Sequence, residues 1–361
     1  MQQNEIVEMA PALARGPLAE QGNRFVQAAL ALPKSVAADT LKTWAIYYVF
    51  KAKESAFAKT EDPTAEIQRA LAAQADFLTA FGRLDGDYLA ARALEAKSRA
   101  SITEVERETG DHYGNLFKAF DAAKYYDETK ELLRERLARN GVMPEDLASK
   151  SVLDAGCGGG RYSVAWKQLG AGRVVGADFS EVGLASAKAR NADSEFAVEF
   201  ERQDVCAMTF PDDEFDIVFS NGVLHHSRDC EGGIRELVRV MKPGGWGWLY
   251  LIEEPGGYFW ELIEVLRVVM KDVDNAIARN ALAQLGVPTN RIFYILDHIM
   301  VPINLRWTDE KIRGVLEDAG ARDIRRLDRG YDFDRIEHIH RGTPYSEMKY
   351  GVGEHRYVFT K

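Results

Sequence analysis

Apolar residues recur at two spacings along the chain, and the change between them marks the predicted elements. Over residues 23–100 the apolar side chains follow helical spacing and glycine is scarce, as in the series Leu41, Trp44, Ala45 and Tyr48. This pattern predicts several helices packed on one another. A charged helix is predicted over Phe120–Asn140, with Gly141 as its end, because glycine commonly stops a helix.

Between residues 151 and 252, short apolar runs alternate with helical stretches, which is typical of βαβ units and a parallel sheet. Five strands are predicted here: one beginning at Ser151, then Arg173–Ala177, Ala197–Gln203, Phe215–Asn221 and Trp246–Leu251. Lys242–Gly245 is predicted as the turn before the fifth strand. A final apolar strand is expected at Arg356–Thr360, after a region that mixes helices with a loop rich in Tyr and Arg.

The first of these strands runs into a glycine-rich turn, Gly156-Cys157-Gly158-Gly159-Gly160. Glycine permits positive φ and lets the backbone come close to a ligand, where a Cβ would clash. A tight turn without a ligand is the simpler interpretation. The second strand, however, ends in Asp178, about two dozen residues after Asp154, and a carboxylate there suits both hydroxyls of a ribose.

Five motifs at consistent spacing identify a family resemblance: DAGCGGG (154–160), GADFS (176–180), QDV (203–205), FDIVFSNGVLHH (215–226) and KPGG (242–245). Together they resemble the class I S-adenosylmethionine-dependent methyltransferase superfamily, in its small-molecule branch, over roughly residues 110–255. The resemblance implies an α/β fold, a Rossmann-like sheet of seven strands with the last one antiparallel. We expect an N-terminal helical domain over 1–110 and a methyltransferase domain over 111–361, with a cap insertion at about 255–305.

The resemblance also implies which residues hold the cofactor, S-adenosyl-L-methionine. The positions carried over are Asp154, Gly156 and Gly158 around the methionine part, Asp178 on the ribose, Phe179 against the adenine, Asp204 and the backbone of Val205 on the adenine edge, and Asn221 beneath the sulfonium. The aromatic segment before the sheet adds Tyr113 as a contact to the cofactor carboxylate; its alternative role is to dock the N-terminal helices on the sheet.

Two histidines, His225 and His226, follow the fourth strand directly, where an open sheet places its ligand crevice. Either one is a candidate base for an acceptor that must lose a proton, or a residue that packs a helix start. Near the C-terminus, Arg341, Tyr345 and Tyr350 are candidate substrate-binding residues. Arg and Tyr suit an anionic group, although interleaved acidic residues allow ordinary surface ion pairs instead.

Charge and composition argue against several classes of function. The net charge of −10 argues against nucleic acid as the main partner, because a phosphate backbone needs a basic face. No signal peptide and no apolar run long enough for a bilayer is found, and three scattered cysteines suit neither a disulfide framework nor a zinc site. We therefore expect a cytoplasmic enzyme with a small-molecule substrate and no metal, whose N-terminal helices serve as a lid or as a homodimer surface.

Two other functions are compatible with parts of these motifs. One is a cofactor-binding regulatory protein of the same fold that has lost its chemistry. The other is an NAD-dependent oxidoreductase, because a ribose-binding acid serves both cofactors. The turn at 156–160 departs from the dinucleotide pattern G-x-G-x-x-G, and that interpretation gives no role to the FSNGVLHH and KPGG motifs.

Overall fold

A computed structural model of the chain describes residues 16–89, 122–143, 145–192, 196–327 and 343–361. They belong to two compact units, one helical and one built on a sheet. The helical unit gathers three separate stretches of the chain: the N-terminal helices, Gly256–Val301 and Thr343–Gly351. The remaining described residues belong to the sheet unit.

The α-helices of the described residues are, in chain order, α1 (Ala19–Leu30), α2 (Val36–Ala58), α3 (Thr64–Leu89), α4 (Ala122–Arg139), α5 (Arg161–Gln168), α6 (Glu181–Asn191), α7 (Cys230–Val240), α8 (Gly257–Met270), α9 (Asn275–Gln284), α10 (Thr289–Met300), α11 (Asp309–Asp318) and α12 (Ser346–Tyr350). Short 3₁₀ turns are found at Leu147–Ser149 and Leu224–His226. Within the described residues, no helix is both long enough and apolar enough to cross a membrane.

Local chemistry sets several helix ends. The hydroxyl of Ser35 accepts a hydrogen bond from the backbone N–H of Ala38 at 3.0 Å and so begins α2. Helix α4 ends where Gly141 adopts a φ of 65°. The N–H of Val142 then donates to the carbonyl of Leu137 at 3.0 Å, a glycine-dependent helix stop. The predicted helix and its end at Gly141 are therefore confirmed.

The interior of the helical unit contains a buried lysine. Lys53, on α2, is 3% exposed, and its Nζ lies 3.8 Å from the ring centroid of Phe50 and 4.4 Å from that of Phe259 on α8. The ring of Phe57 is 5.9 Å away. Burial and, to a smaller extent, repulsion from Arg291 together lower the pKa of Lys53 to about 7. The aromatic faces stabilise the charged amine by cation–π attraction, which offsets part of this effect.

Seven strands form the sheet: β1 (Ser151–Ala155), β2 (Arg173–Asp178), β3 (Glu199–Arg202), β4 (Phe215–Asn221), β5 (Met241–Leu251), β6 (Arg322–Arg326) and β7 (His355–Thr360). Their order is β3-β2-β1-β4-β5-β7-β6, and β7 is antiparallel to both of its neighbours. The other pairs are parallel, so the carboxyl ends of β1 to β5 meet at one edge. The predicted seven-stranded sheet with an antiparallel last strand is confirmed.

Helices cover both faces of the sheet. On one face, α7 and α11 supply apolar residues such as Leu237 and Ile312 to a core with Val218 of β4. On the other face, α5 packs Trp166 against Phe219 with the rings edge to face, at a centroid distance of 5.7 Å. Burial on both faces explains why the central strands are almost entirely apolar.

The Lys242–Gly245 segment differs from the prediction. It lies within β5 rather than before it: Met241 pairs with Phe215, and Trp246 pairs with Ile217, so the intervening residues form an irregularity in the strand. Asp216 stabilises it, because its Oδ2 accepts a hydrogen bond from the Nζ of Lys242 at 2.9 Å. Hydrogen bonds from Ser151, together with this lysine, outweigh burial and lower the pKa of Asp216 to about 2.

The predicted division, with a boundary at residue 110 and a cap insertion at about 255–305, stays a prediction. In the described residues, the contacts group α8 to α10 with the N-terminal helices. The physical reason is the composition of α8, which is buried on nearly all sides. At its contact with α1 the two backbones approach closely, since a Cβ on Gly22 would lie 3.2 Å from a methyl group of Val265.

Candidate functional site

The glycine-rich turn follows β1 at the edge where the parallel strands end. Gly156, Gly158 and Gly160 all have positive φ. The N–H groups of Gly156 and Cys157 both donate to the carbonyl of Ala177, the penultimate residue of β2, at 2.7 and 3.0 Å. A Cβ on Gly156 would lie 2.2 Å from a methyl group of Val223, beyond the end of β4. Glycine is thus required at residue 156 by both backbone conformation and packing.

Asp154 lies beneath this turn. Its side chain is buried and accepts a hydrogen bond from the hydroxyl of Ser163 at 2.6 Å. Burial raises the pKa of Asp154 to about 7; the Ser163 hydrogen bond opposes this effect, and the charge of Asp178 adds to it. The carboxyl group therefore changes its protonation near neutral pH, and a cation placed nearby would favour its charged form.

Asp178, at the end of β2, holds the turn from the other side. One carboxylate oxygen accepts from the N–H of Gly158 at 2.7 Å, and the other accepts from the N–H of Ser180 at 2.8 Å. Burial raises the pKa of Asp178 and these backbone donors oppose the effect. Each oxygen has a second lone pair, so the carboxylate retains the capacity to accept from two hydroxyls of a ligand.

The neighbouring residues of the predicted cofactor site occupy the same edge. Asp204 follows β3, and its Oδ1 accepts from the N–H of Cys206 at 2.9 Å. Its other oxygen forms an ion pair with Arg228, which follows the 3₁₀ turn Leu224–His226, here called the histidine turn. An adenine amine at Asp204 would share the carboxylate with Arg228. Val205 beside it is buried, and the guanidinium of Arg202 lies 5.3 Å from the ring centroid of Phe179.

At the end of β4, Asn221 has a fixed orientation. Its Oδ1 accepts from the indole N–H of Trp248 on β5 at 3.1 Å. Gly222 follows with a φ of 81°, and its missing side chain leaves room for the ring of Tyr250, 3.3 Å from where a Cβ would lie. This reversal of the chain leads directly into the histidine turn.

His225 and His226 belong to the 3₁₀ turn after β4 and differ in exposure. His225 is 2% exposed, and its ring packs edge to face on Tyr250 at a centroid distance of 5.6 Å. His226 is half-buried, and its Nδ1 lies 2.7 Å from the carbonyl oxygen of Ile303. Because a carbonyl only accepts, Nδ1 must be the donor, and in the neutral ring the lone pair is then on Nε2. The contact with Ile303 thus fixes the tautomer of the neutral His226 ring.

The stretch before α11 was not anticipated as part of this region. Leu305 donates its N–H to the carbonyl of His225 at 2.8 Å, and Trp307 donates to the carbonyl of Ile252 at 3.0 Å. Between Ile303 and Leu305 lies Asn304, a polar residue in the otherwise apolar run Ile299–Leu305. A polar residue within an apolar run is the sequence signal that could have identified this stretch.

The remaining predicted residues have different locations. Tyr113 and Arg341 lie outside the described residues. Tyr345 and Tyr350 belong to the helical unit, whereas the aspartates and histidines belong to the sheet unit. Tyr345 is 43% exposed and precedes α12, and the ring of Tyr350 packs edge to face on Phe57 at 5.3 Å. The cofactor contact of Tyr113 and the substrate-binding role of Arg341, Tyr345 and Tyr350 stay predictions.

Part of the sheet unit is similar to known proteins. Residues 153–249 match the family model described as a methyltransferase domain. The 27-O-demethylrifamycin SV methyltransferase of Amycolatopsis mediterranei is 34% identical over 142 residues, 38% of this chain and 51% of that protein. The ubiquinone biosynthesis O-methyltransferase of Pseudomonas fluorescens is 37% identical over 121 residues, 33% of this chain and 51% of that protein.

The chain spans about half the length of the curated relatives it matches. Among solved structures, an S-adenosylmethionine-dependent methyltransferase from Mesorhizobium loti is 19% identical with a TM-score of 0.39, and the match covers 62% of this chain and 96% of that one. The family model describes a methyltransferase, not a dehydrogenase, which sets aside the oxidoreductase interpretation of the glycine-rich turn.

Proposed function

We propose that the whole protein methylates a hydroxyl oxygen of a small molecule with S-adenosylmethionine as the methyl donor, because residues 153–249 match a methyltransferase domain. The names of the two relatives, both O-methyltransferases, support an oxygen acceptor. The orientation of His226 supports it independently, because a base matters most when the acceptor is a weakly acidic hydroxyl. The 2.7 Å contact between His226 Nδ1 and the carbonyl of Ile303 is the observation that carries this proposal.

The residues at the sheet edge fit the cofactor by the chemistry of their side chains. Asp154, Asp178 and Asp204 lie at or near the carboxyl ends of three adjacent strands, and each presents a carboxylate. S-adenosylmethionine carries three groups of hydrogen-bond donors, namely the ammonium of its methionine part, the ribose hydroxyls and the adenine amine. The carboxylates would hold these groups in that order, and the bound cofactor would supply an electrophilic methyl group on sulfur.

The protein's own contribution is to position the acceptor and to take its proton. As the acceptor oxygen gains the methyl group, its proton passes to Nε2 of His226. The carbonyl of Ile303 stabilises the resulting imidazolium, since Nδ1–H donates to it in both protonation states. His225 supports the turn through its backbone carbonyl and its buried ring.

Three finer features accompany this proposal. The acceptor carries an acidic group that Arg341, Tyr345 and Tyr350 recognise, because Arg and Tyr provide directed donors for an anion. The protein acts in the cytoplasm, without nucleic acid as a partner. The N-terminal helices form either a lid or a homodimer surface.

The function is tested with the full chain in two steps. Calorimetry first measures binding of S-adenosylhomocysteine, the product form of the cofactor. Transfer of a radiolabelled methyl group is then followed with a panel of catechols, hydroxybenzoates and metabolite extracts. We expect micromolar binding and transfer to an oxygen. Binding without transfer to any acceptor would support a regulatory cofactor-binding protein instead, and the absence of binding would refute the cofactor assignment.

A further inference from the structure

The segment containing Asn304 is held firmly against the histidine turn and the end of β5. The carbonyl of Ile303 accepts from the ring of His226, and the N–H of Leu305 donates to the carbonyl of His225. Further along, Glu253 and Trp307 form a parallel bridge. The residues on both sides of Asn304 are therefore fixed to the candidate base and its neighbour.

The side chain of Asn304 is enclosed, and its amide forms no hydrogen bond with the described residues. It is 5% exposed, and its Oδ1 and Nδ2 are both shielded from solvent. Neither atom has a hydrogen-bond partner among the residues that the structure describes. A buried amide that forms no hydrogen bonds destabilises a fold, because its atoms have lost their bonds to water without replacement. An apolar residue of similar size, such as leucine, would be the better choice for folding alone.

We propose that Asn304 binds the methyl acceptor beside His226, through a neutral group of the acceptor that both donates and accepts a hydrogen bond. The proposal rests on the proposed function and names the chemistry of its substrate. The acceptor presents two neighbouring oxygens, either two hydroxyls or a hydroxyl and a carbonyl. One hydroxyl donates to Oδ1 of Asn304, and the other oxygen accepts from Nδ2.

Oδ1 of Asn304 needs a hydrogen-bond donor and Nδ2 needs an acceptor. A ligand group that only accepts or only donates therefore does not fit this position. A carboxylate accepts only and would leave Oδ1 without a donor. An ammonium group donates only and would leave Nδ2 without an acceptor. An acidic group on the acceptor therefore lies elsewhere, while the oxygen pair occupies the space at Asn304. This arrangement also presents a hydroxyl close to the candidate base, as O-methylation requires.

Unfolding of Asn304→Leu in the absence of ligands provides the first test. The matched control is Asn140→Leu, because Asn140 has the same residue type and similar burial at 6%, but its Nδ2 donates to the carbonyl of Arg136 at 2.9 Å. We expect the melting temperature of Asn304→Leu to equal or exceed that of the wild type, and that of Asn140→Leu to fall by several degrees. A comparable fall for Asn304→Leu would show that the amide stabilises the fold, for example through a bound water, and would overturn the proposal.

Ligand binding to the same proteins provides the second test, with S-adenosylhomocysteine present throughout. The probes are catechol and salicylamide, with benzoate and benzylamine as the anionic and cationic controls. Catechol and salicylamide should bind the wild type and bind Asn304→Leu at least tenfold more weakly, while the affinity for S-adenosylhomocysteine stays the same. Equal binding to both proteins, selective loss of benzoate, or no binding of either neutral probe to the wild type at millimolar concentration would each refute the assignment.

These outcomes are separable from failure of the proposed function. A protein that binds catechol through Asn304 but transfers no methyl group has the site without the chemistry. A protein that methylates an acceptor equally well with leucine at residue 304 has the chemistry without this site.

Discussion

The carboxylate of Asp178 accepts a hydrogen bond from the N–H of Gly158 at 2.7 Å, so the residue proposed to bind the ribose also holds the glycine-rich turn in place. The two roles are therefore coupled. Removing this carboxylate releases a backbone donor at the start of the cofactor site as well as the expected contacts to the ribose. Loss of cofactor affinity and a modest loss of stability should appear together.

Asp178→Ala is expected to weaken S-adenosylhomocysteine binding at least tenfold, because two hydrogen bonds of about 1 kcal/mol each are lost. Calorimetry measures the affinity, and thermal unfolding shows that the variant is folded. Asp212→Ala is the matched control, since the Asp212 side chain is 71% exposed and forms a surface ion pair with Arg239. Unchanged affinity in a folded Asp178→Ala protein would refute the ribose assignment.

His226→Gln is expected to lower kcat by about a hundredfold or more and to leave cofactor affinity unchanged, because glutamine cannot take up the acceptor proton. His225→Phe keeps an aromatic ring against Tyr250 and tests the other histidine. The loss of kcat should occur in His226→Gln and not in His225→Phe. Near-wild-type turnover in His226→Gln, or a loss of kcat confined to His225→Phe, contradicts the assignment of the base.

Asp154 should make cofactor binding depend on pH. Its pKa of about 7 in the free protein is raised mainly by burial, and the ammonium of a bound ligand would lower it again. Affinity for S-adenosylhomocysteine should thus rise with pH up to about 7 and then level off, with proton release on binding near neutral pH. Calorimetry in two buffers of different ionisation enthalpy detects this release. Asp154→Asn should abolish the difference between buffers; if the difference persists, another group supplies the proton.

Lys53 should make stability rise with pH in alkaline solution. Its pKa is lowered to about 7 in the folded protein from 10.5 in the unfolded chain, so the unfolded chain binds more protons between these values. The free energy of unfolding should increase over that interval by about 3 kcal/mol, after cation–π attraction offsets part of the burial effect.

Lys53→Met should remove this slope and stabilise the protein at pH 7, as measured by urea unfolding from pH 6 to 10. Lys51→Met is the control, since Lys51 is exposed on the same helix and should change little. A wild-type stability that is flat over this range would show that the amine is fully charged in the folded protein.

The charge of the acceptor is tested by Arg341→Ala. If Arg341 binds an acidic group, the variant should raise the Michaelis constant of the acceptor at least tenfold and leave S-adenosylhomocysteine affinity intact. Steady-state kinetics with a hydroxybenzoate and its neutral amide separate the two effects, because only the acid should lose binding. Turnover of neutral acceptors alone argues against the anionic assignment.

Local patterns predicted the centre of the sheet well. The strands ending at Asp178 and Asn221 were located from short apolar runs, and Gly141 ended its helix as expected, because each signal depends on a few adjacent residues. The position of the aspartates at one edge followed from parallel pairing. The resemblance of the motifs to a known family suggested which part of the cofactor each residue binds, which spacing alone does not indicate.

Contacts between residues that are far apart in the chain could not be predicted from the sequence. The strand irregularity at Lys242–Gly245 depends on Asp216, and the unit to which α8 belongs depends on its packing with helices more than two hundred residues earlier. Buried polar groups were also missed: Lys53 lies in an ordinary helical pattern, and the isolation of Asn304 is visible only when its surroundings are known. Such residues place a polar group where the surrounding sequence pattern predicts an apolar one. Exceptions of this kind are most common at functional sites.

The position of β7 between β5 and β6 has a consequence for biosynthesis. Residues 355–360 are synthesised after β5 and β6, yet they lie between these two strands in the sheet. Until they emerge, β5 and β6 each expose an unpaired edge that can associate with other nascent chains. The sheet can therefore close only after residue 360 has been synthesised. A chain truncated just before His355 should depend on chaperones or be degraded, although every residue of the candidate site precedes that position.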